Sequence, residues 1–150
     1  MPVKQTLIFL IILFISIIPP RQAIAQAADQ IEHIWYNERQ TAKIQVYKGA
    51  DGKFYGKVIW LKYPLLPDGK PKYNGYCPKP ELRCEPIIGL VILKNFKKDG
   101  KNTYDGGTVY DPENGKTYDC KLTYKGDHLD VRGYVGFSMF GKTTTWKLAE

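Results

Sequence analysis

A chain of 150 residues with 22 Lys and Arg against 15 Asp and Glu carries a formal charge of +7, and 43% of it is hydrophobic. That is enough for one domain with a proper core and too little for two. The basic residues, among them Lys43, Lys57, Lys72, Lys97, Lys121 and Lys142, are scattered rather than gathered into a stripe, which argues against nucleic acid as a partner.

The chain opens with Lys4 and an apolar run from Leu7 to Ile18 broken only by Ser16. A run of about a dozen residues is too short to cross a bilayer that needs ~20. Pro19 and Pro20 end it, and Ala23-Ile24-Ala25 places small residues where a signal peptidase reads. Residues 1–25 are therefore expected to be a cleaved signal peptide and 26–150 one exported domain, periplasmic or extracellular, without stable membrane insertion after cleavage. Losing Lys4 and Arg21 lowers the formal charge from +7 to +5.

Beyond the leader the pattern has period two, the mark of strands with one face in a core and one in water. Eight strands are predicted, near 31–36, 41–48, 53–62, 87–94, 103–110, 116–124, 128–136 and 142–148. Asp51-Gly52, Asp99-Gly100, Asn114-Gly115 and Gly126-Asp127 fall between alternating runs, and such pairs favour hairpins because the turn wants positive φ. Consecutive hairpins imply an all-β antiparallel meander, and eight strands make a barrel just wide enough to be filled or to hold one small ligand. Residues 63–86, with six prolines, read as an ordered loop over a barrel mouth or side. Ile87 to Leu93 is apolar at every position, and its β-branched content favours a strand covered on both faces over a short buried helix.

Alternation selects Val58, Trp60, Tyr118, Leu122, Tyr124, Val131, Val135 and Trp146 as the inward set, lining a pocket if there is one. Gly56, Gly107, Gly133 and Gly136 either leave room inside or permit bending. Cys77 and Cys84 lie in the Pro-rich loop of a chain expected to meet oxidising conditions. Pairing them would stabilise the loop by roughly 2.5 kcal/mol in the chain-entropy model. Cys120 then stands alone on an apolar strand face as an inert buried thiol.

Four segments in this order carry a resemblance: Phe54 to Leu61, Gly89 to Leu93, Gly107 to Tyr118 and Val131 to Trp146. With its Y-D-P-x-N-G-x-x-Y element, the later R-G-Y-x-G and the terminal T-W, the chain resembles the bacterial family of exported proteins catalogued as domain of unknown function 2147. The resemblance implies a lipocalin-like (calycin) up-and-down barrel and no enzymatic activity. It also implies a structural pair in which Trp35 of the first strand closes one end and Arg132 of a late strand overlies it. The family's loop usually runs through Asn-Pro-Asp-Pro and an Arg-rich stretch; here Cys77 and Cys84 occupy that region.

No catalytic or metal constellation emerges, and no cofactor is called for. Asp111-Pro112-Glu113-Asn114-Gly115 lacks the downstream bidentate Glu of a calcium loop and reads as a turn. His33 and His128 are far apart with no ligand-spaced partners. Ser138 lacks a nucleophile elbow, and Asp119 and Cys120 fall on opposite faces. The expected function is non-enzymatic binding of a small apolar or amphipathic ligand inside the barrel. The alternative is an envelope interaction or structural protein with a filled barrel, meeting an unidentified protein partner through its surface or the 63–86 loop.

Overall fold

The structure, a computed structural model, describes residues 28–149. The predicted signal peptide and its cleavage point lie outside the described residues. Eight strands follow one another: β1 (Ile34–Tyr36), β2 (Ala42–Lys48), β3 (Phe54–Leu61), β4 (Val91–Lys98), β5 (Thr103–Asp111), β6 (Lys116–Tyr124), β7 (His128–Tyr134) and β8 (Lys142–Ala149). Each pairs antiparallel with the next, and β1 pairs with β8 through Ile34–Ala149, Trp35–Leu148 and Tyr36–Lys147. The barrel is thus closed, every strand has two neighbours, and no edge is left to template aggregation. Among the described residues no helix is long and apolar enough to cross a membrane.

The turns follow from their glycines. Gly52, Gly100, Gly115 and Gly126 all hold positive φ, as tight reversals between strands demand. In the β5–β6 turn the Asp111 carboxylate accepts from the Glu113 backbone and the Asn114 amide, each at 2.9 Å. The oxygen-rich sequence there serves a turn.

Three strands differ from their predicted extents by more than one residue. The first starts late, because residues 29–32 fold into a turn in which Glu32 N–H reaches Asp29 O at 2.8 Å. The fourth starts at Val91 rather than Ile87; Gly89, at φ 99°, turns the chain there, and Leu90 N–H bonds to Ile87 O at 3.1 Å. The seventh stops at Tyr134, two residues before Gly136 bends the chain at φ 74°.

The two ends of the barrel are unlike. At one pole the loops are short, and the N-terminal turn tucks in Ile31 as a plug that is fully buried. Trp35, also fully buried, donates its indole N–H to Ile31 O at 3.0 Å and meets Tyr124 edge-on. Phe96, Tyr104, Leu122 and Leu129 complete this filled half. Tyr104 stands edge-on to Phe54 at 5.1 Å between ring centroids and donates its hydroxyl to Asp29. The opposite pole carries the long β3–β4 connection and the β7–β8 loop, and it is open.

The candidate ligand cavity

Between the open pole and the filled half lies a cavity of about 1180 Å³. Its depth follows from where the glycines fall. A Cβ on Gly56 would stand 2.7 Å from Leu93, and one on Gly107 would stand 2.5 Å from the Phe96 ring. Those two glycines let large side chains cross the lower barrel and fill it. Gly133 differs: its nearest neighbours, Val109 and Tyr118, lie at ordinary contact distances of 3.5 and 3.6 Å, and it borders the cavity. Of the two uses the sequence left open, Gly56, Gly107 and Gly133 leave room inside, and Gly136 permits the bend after β7.

Of the eight inward candidates, Val58, Tyr118, Val131, Val135 and Trp146 border the cavity. Val58, Val131 and Trp146 are buried in its apolar wall beside Ile44 and Ile92. Val135 sits beyond the end of β7, 73% exposed, on the rim. Leu122 is fully buried and Tyr124 packs against Trp35, so both belong to the filled half.

Trp60 requires a correction. Lys43 pairs with Trp60 and Ile44 with Val58, so Ile59 is the extra residue of a β-bulge. A bulge shifts the alternation by one residue, which turns everything beyond it to the other face. Trp60 is accordingly 38% exposed on the outer wall, edge-on to Tyr36 with Lys43 near both rings.

Arg132 and Trp35 are also separated. Val131 points inward, so Arg132 points outward, where its guanidinium donates to Thr143 at 3.0 Å. Trp35 pairs with Leu148 and Arg132 with Thr143, which sets them five residues apart along β8. Trp35 therefore closes its end with the Ile31 turn and Tyr124, on the opposite side of the wall from Arg132.

The cysteines are three free thiols: Cys77 and Cys120 buried, Cys84 exposed. The predicted Cys77–Cys84 disulfide is therefore not formed. The 3₁₀ turn at Pro80–Leu82 carries the chain between the two cysteines, and Arg83 Nε bonds Cys77 O at 2.8 Å. Cys77 is turned in toward Tyr110, whose hydroxyl is held in its neutral form by burial and by that thiol. Cys120 is fully buried, and desolvation pushes its thiol up to about 12; Asp119 beside it is exposed.

The mouth is built by the long loop, which is tied down. Asn74, 2% exposed, accepts from the Tyr110 hydroxyl. The Tyr76 carbonyl lies so close over Gly115 that a Cβ there would stand 1.9 Å from it. Tyr63, Leu66, Lys72 and Tyr73 of this loop then face the cavity. Arg39 of the β1–β2 turn pairs with Glu113 of the β5–β6 turn on the same rim. Lys142 and Phe140 complete it from the β7–β8 side.

The sequence reading missed several of these residues. Ile44 and Val109 carried the same alternation as the chosen set. Ile92 was hidden in a run with no polar beat to reveal its face. The rim residues come from loops, where periodicity says nothing.

The arrangement is an apolar chamber with a polar entrance of mixed charge, suited to holding a molecule with an apolar body and a polar head. A Helicobacter pylori protein, HP1028, whose structure is described as belonging to the lipocalin family, superimposes with a TM-score of 0.69 at 27% identity, covering 81% of this chain and 84% of that one. None of the curated proteins searched matches the chain. A family model described as an uncharacterized protein conserved in bacteria matches residues 33–148, nearly the whole described barrel, so the chain belongs to the DUF2147 family.

Proposed function

We propose that this protein is an exported, non-enzymatic carrier that holds one small apolar or amphipathic molecule inside its barrel. The observation that carries the reading is the cavity of about 1180 Å³, somewhat larger than a usual ligand pocket, with Ile44, Val58, Ile92 and Trp146 in its wall. Lys72 and Lys142, with Glu38 and Asp111, give the entrance a mixed charge that suits a polar head left near water. Export is supported by the leader-like sequence before residue 26. The filled-barrel alternative asks for a packed interior throughout, and only the Trp35 half is of that kind.

The test is native mass spectrometry of the protein purified gently from its own envelope fraction, beside a denatured control. A discrete extra mass lost on denaturation, and less abundant in a Val131→Trp variant that intrudes on the cavity, supports the reading and gives the ligand's class. A bare polypeptide mass that stays bare after incubation with fatty-acid and phospholipid mixtures refutes it.

A further inference from the structure

Lysines that are scattered in the sequence are gathered by the barrel. In β8, β1, β2, β3 and β4, five consecutive staves of the closed wall, every charged side chain is a lysine. The other staves carry Asp105, Asp111, Asp119 and Asp130 among their bases. Ile44, Val58, Leu93, Phe96 and Trp146 are buried inside, so their strand neighbours Lys43, Lys57, Lys94, Lys97 and Lys147 face out. None of these five pairs with a carboxylate among the described residues, whereas Lys98 pairs with Asp29. The carboxylates that border the wall are engaged at its edges. Asp51 accepts from the Tyr55 hydroxyl at 2.6 Å and from the Lys53 backbone. Glu32 accepts from the backbone of Asp29 and Lys48. Asp99 and Asp105 pair with Lys121, Asp127 and Asp130 flank His128, and Glu38 borders the cavity mouth.

The charges are also set in order. Lys147 pairs with Tyr36, Tyr36 with Lys43, and Lys43 with Trp60, so lysine and ring alternate across β8, β1, β2 and β3. Neighbouring strands lie ~4.8 Å apart, which makes lysine positions recur at about 10 Å along this row. Lys43 Nζ lies 5.0 Å from the Tyr36 ring and 5.6 Å from that of Trp60, and the two rings meet edge-on. Lys57 Nζ lies 5.7 Å from the Tyr47 ring, which is stacked on Tyr55 at 5.9 Å. A lysine held against rings keeps its charge and has already given up much of the freedom that binding would cost it.

We infer that this outer wall binds an anionic polysaccharide, whose acid groups recur along the polymer and meet the row of ammoniums. The Tyr36 hydroxyl and the Gln45 amide, on the same outer face, offer hydrogen bonds to its hydroxyls. Other polyanions fit less well. A bilayer asks for projecting apolar side chains, whereas Tyr36, Tyr47 and Tyr55 lie half-buried along the wall. Single-stranded nucleic acid asks for open ring faces on which bases stack. Here Lys43 and Lys57 lie against the rings, and Tyr47 and Tyr55 cover each other. A folded protein asks for an apolar centre to its interface, and the centre of this row is Lys43. The cavity takes no part, so the inference stands apart from the carrier reading.

The test is fluorescence anisotropy of a labelled oligogalacturonate, which has a carboxylate on every sugar, against a labelled neutral maltooligosaccharide. The acidic probe should bind, more weakly as salt is raised, and the neutral one should not. The double variant Lys43→Gln, Lys147→Gln should weaken binding about tenfold. Lys116→Gln with Lys125→Gln removes the same charge from β6 and the turn after it, and should change binding less than about twofold. Tyr36→Leu leaves the charge alone and should weaken binding about threefold by releasing Lys43. Circular dichroism establishes that each variant is folded. Equal losses from the two lysine pairs overturn the proposal, because net charge alone would then explain binding. Parent-like affinity in Tyr36→Leu or in the Lys43, Lys147 pair overturns it as well. A thymidine oligonucleotide of equal charge that binds more tightly than oligogalacturonate overturns it in favour of nucleic acid.

Discussion

Gly107, Cys120 and Gly133 lie side by side on β5, β6 and β7, a row of small residues across the inner wall. One end of the row is covered by a core ring and the other borders the cavity, so the same substitution should have different costs at the two ends. Alanine at either glycine lowers the entropy of the unfolded chain by a similar amount, about 0.4–1 kcal/mol in favour of folding, which cancels in the comparison. At Gly107 the new methyl would stand 2.5 Å from Cγ of Phe96, a fully buried ring with no space to retreat into. Overpacking of that kind costs about 1–3 kcal/mol. At Gly133 the methyl meets Val109 and Tyr118 at ordinary distances of 3.5 and 3.6 Å. Gly107→Ala should therefore be less stable than Gly133→Ala by about 1–3 kcal/mol, with Gly133→Ala at or above the parent. With a urea m-value of about 2 kcal/mol per M, the two midpoints should differ by about 1 M when followed by tryptophan fluorescence. Coincident midpoints, or the reverse order, would refute the division of the barrel into a filled and an open half.

Gly115→Ala forces a methyl into the Tyr76 carbonyl at a position already held at φ 71°. It should free the long loop from the β5–β6 turn, seen as faster proteolysis within residues 62–90 while the barrel's circular dichroism persists. Alkali should unfold the protein for a traceable reason. The Cys120 thiol, raised to about 12 by burial from an ordinary 9.0, stays protonated while the unfolded chain ionises. Stability then falls by about 1.4 kcal/mol per pH unit above the ordinary value, and Cys120→Ala should flatten that limb in pH-dependent urea titrations. At the acid end, burial opposes ionisation of Asp29, but hydrogen bonds from Lys98 and Tyr104 outweigh it and hold its carboxyl below the ordinary 3.8. Its contribution is complete above that value and is lost as pH falls through the lower folded one. Asp29→Asn should cost about 1–2 kcal/mol at neutral pH and nothing in strong acid, measured by the same titrations.

The barrel itself was legible because its information is local. Each two-residue alternation and each Asp-Gly or Asn-Gly pair states its own geometry, and their succession along the chain leaves little choice of architecture. What stayed hidden depends on events between strands. Nothing in Val58-Ile59-Trp60 announces that Ile59 bulges, yet that one residue sends Trp60 to the outer wall. Leu122 and Val131 look alike in sequence and face each other across β6 and β7. Yet Leu122 is fully buried in the filled half while Val131 borders the cavity, a difference no alternation encodes. Arg132 was placed by its resemblance to a barrel-closing arginine, although its own alternation already pointed outward. Cys77 and Cys84 are near in sequence, but a 3₁₀ turn and the pull of Tyr110 on one of them decide where their sulfurs go.

Both chain ends emerge at the plugged pole: Asp29 bonds to Lys98 and Tyr104 there, and Ala149 pairs with Ile34. A purification tag, a fusion partner or a sensor-chip linkage at either end therefore sits behind the barrel and leaves the entrance unobstructed.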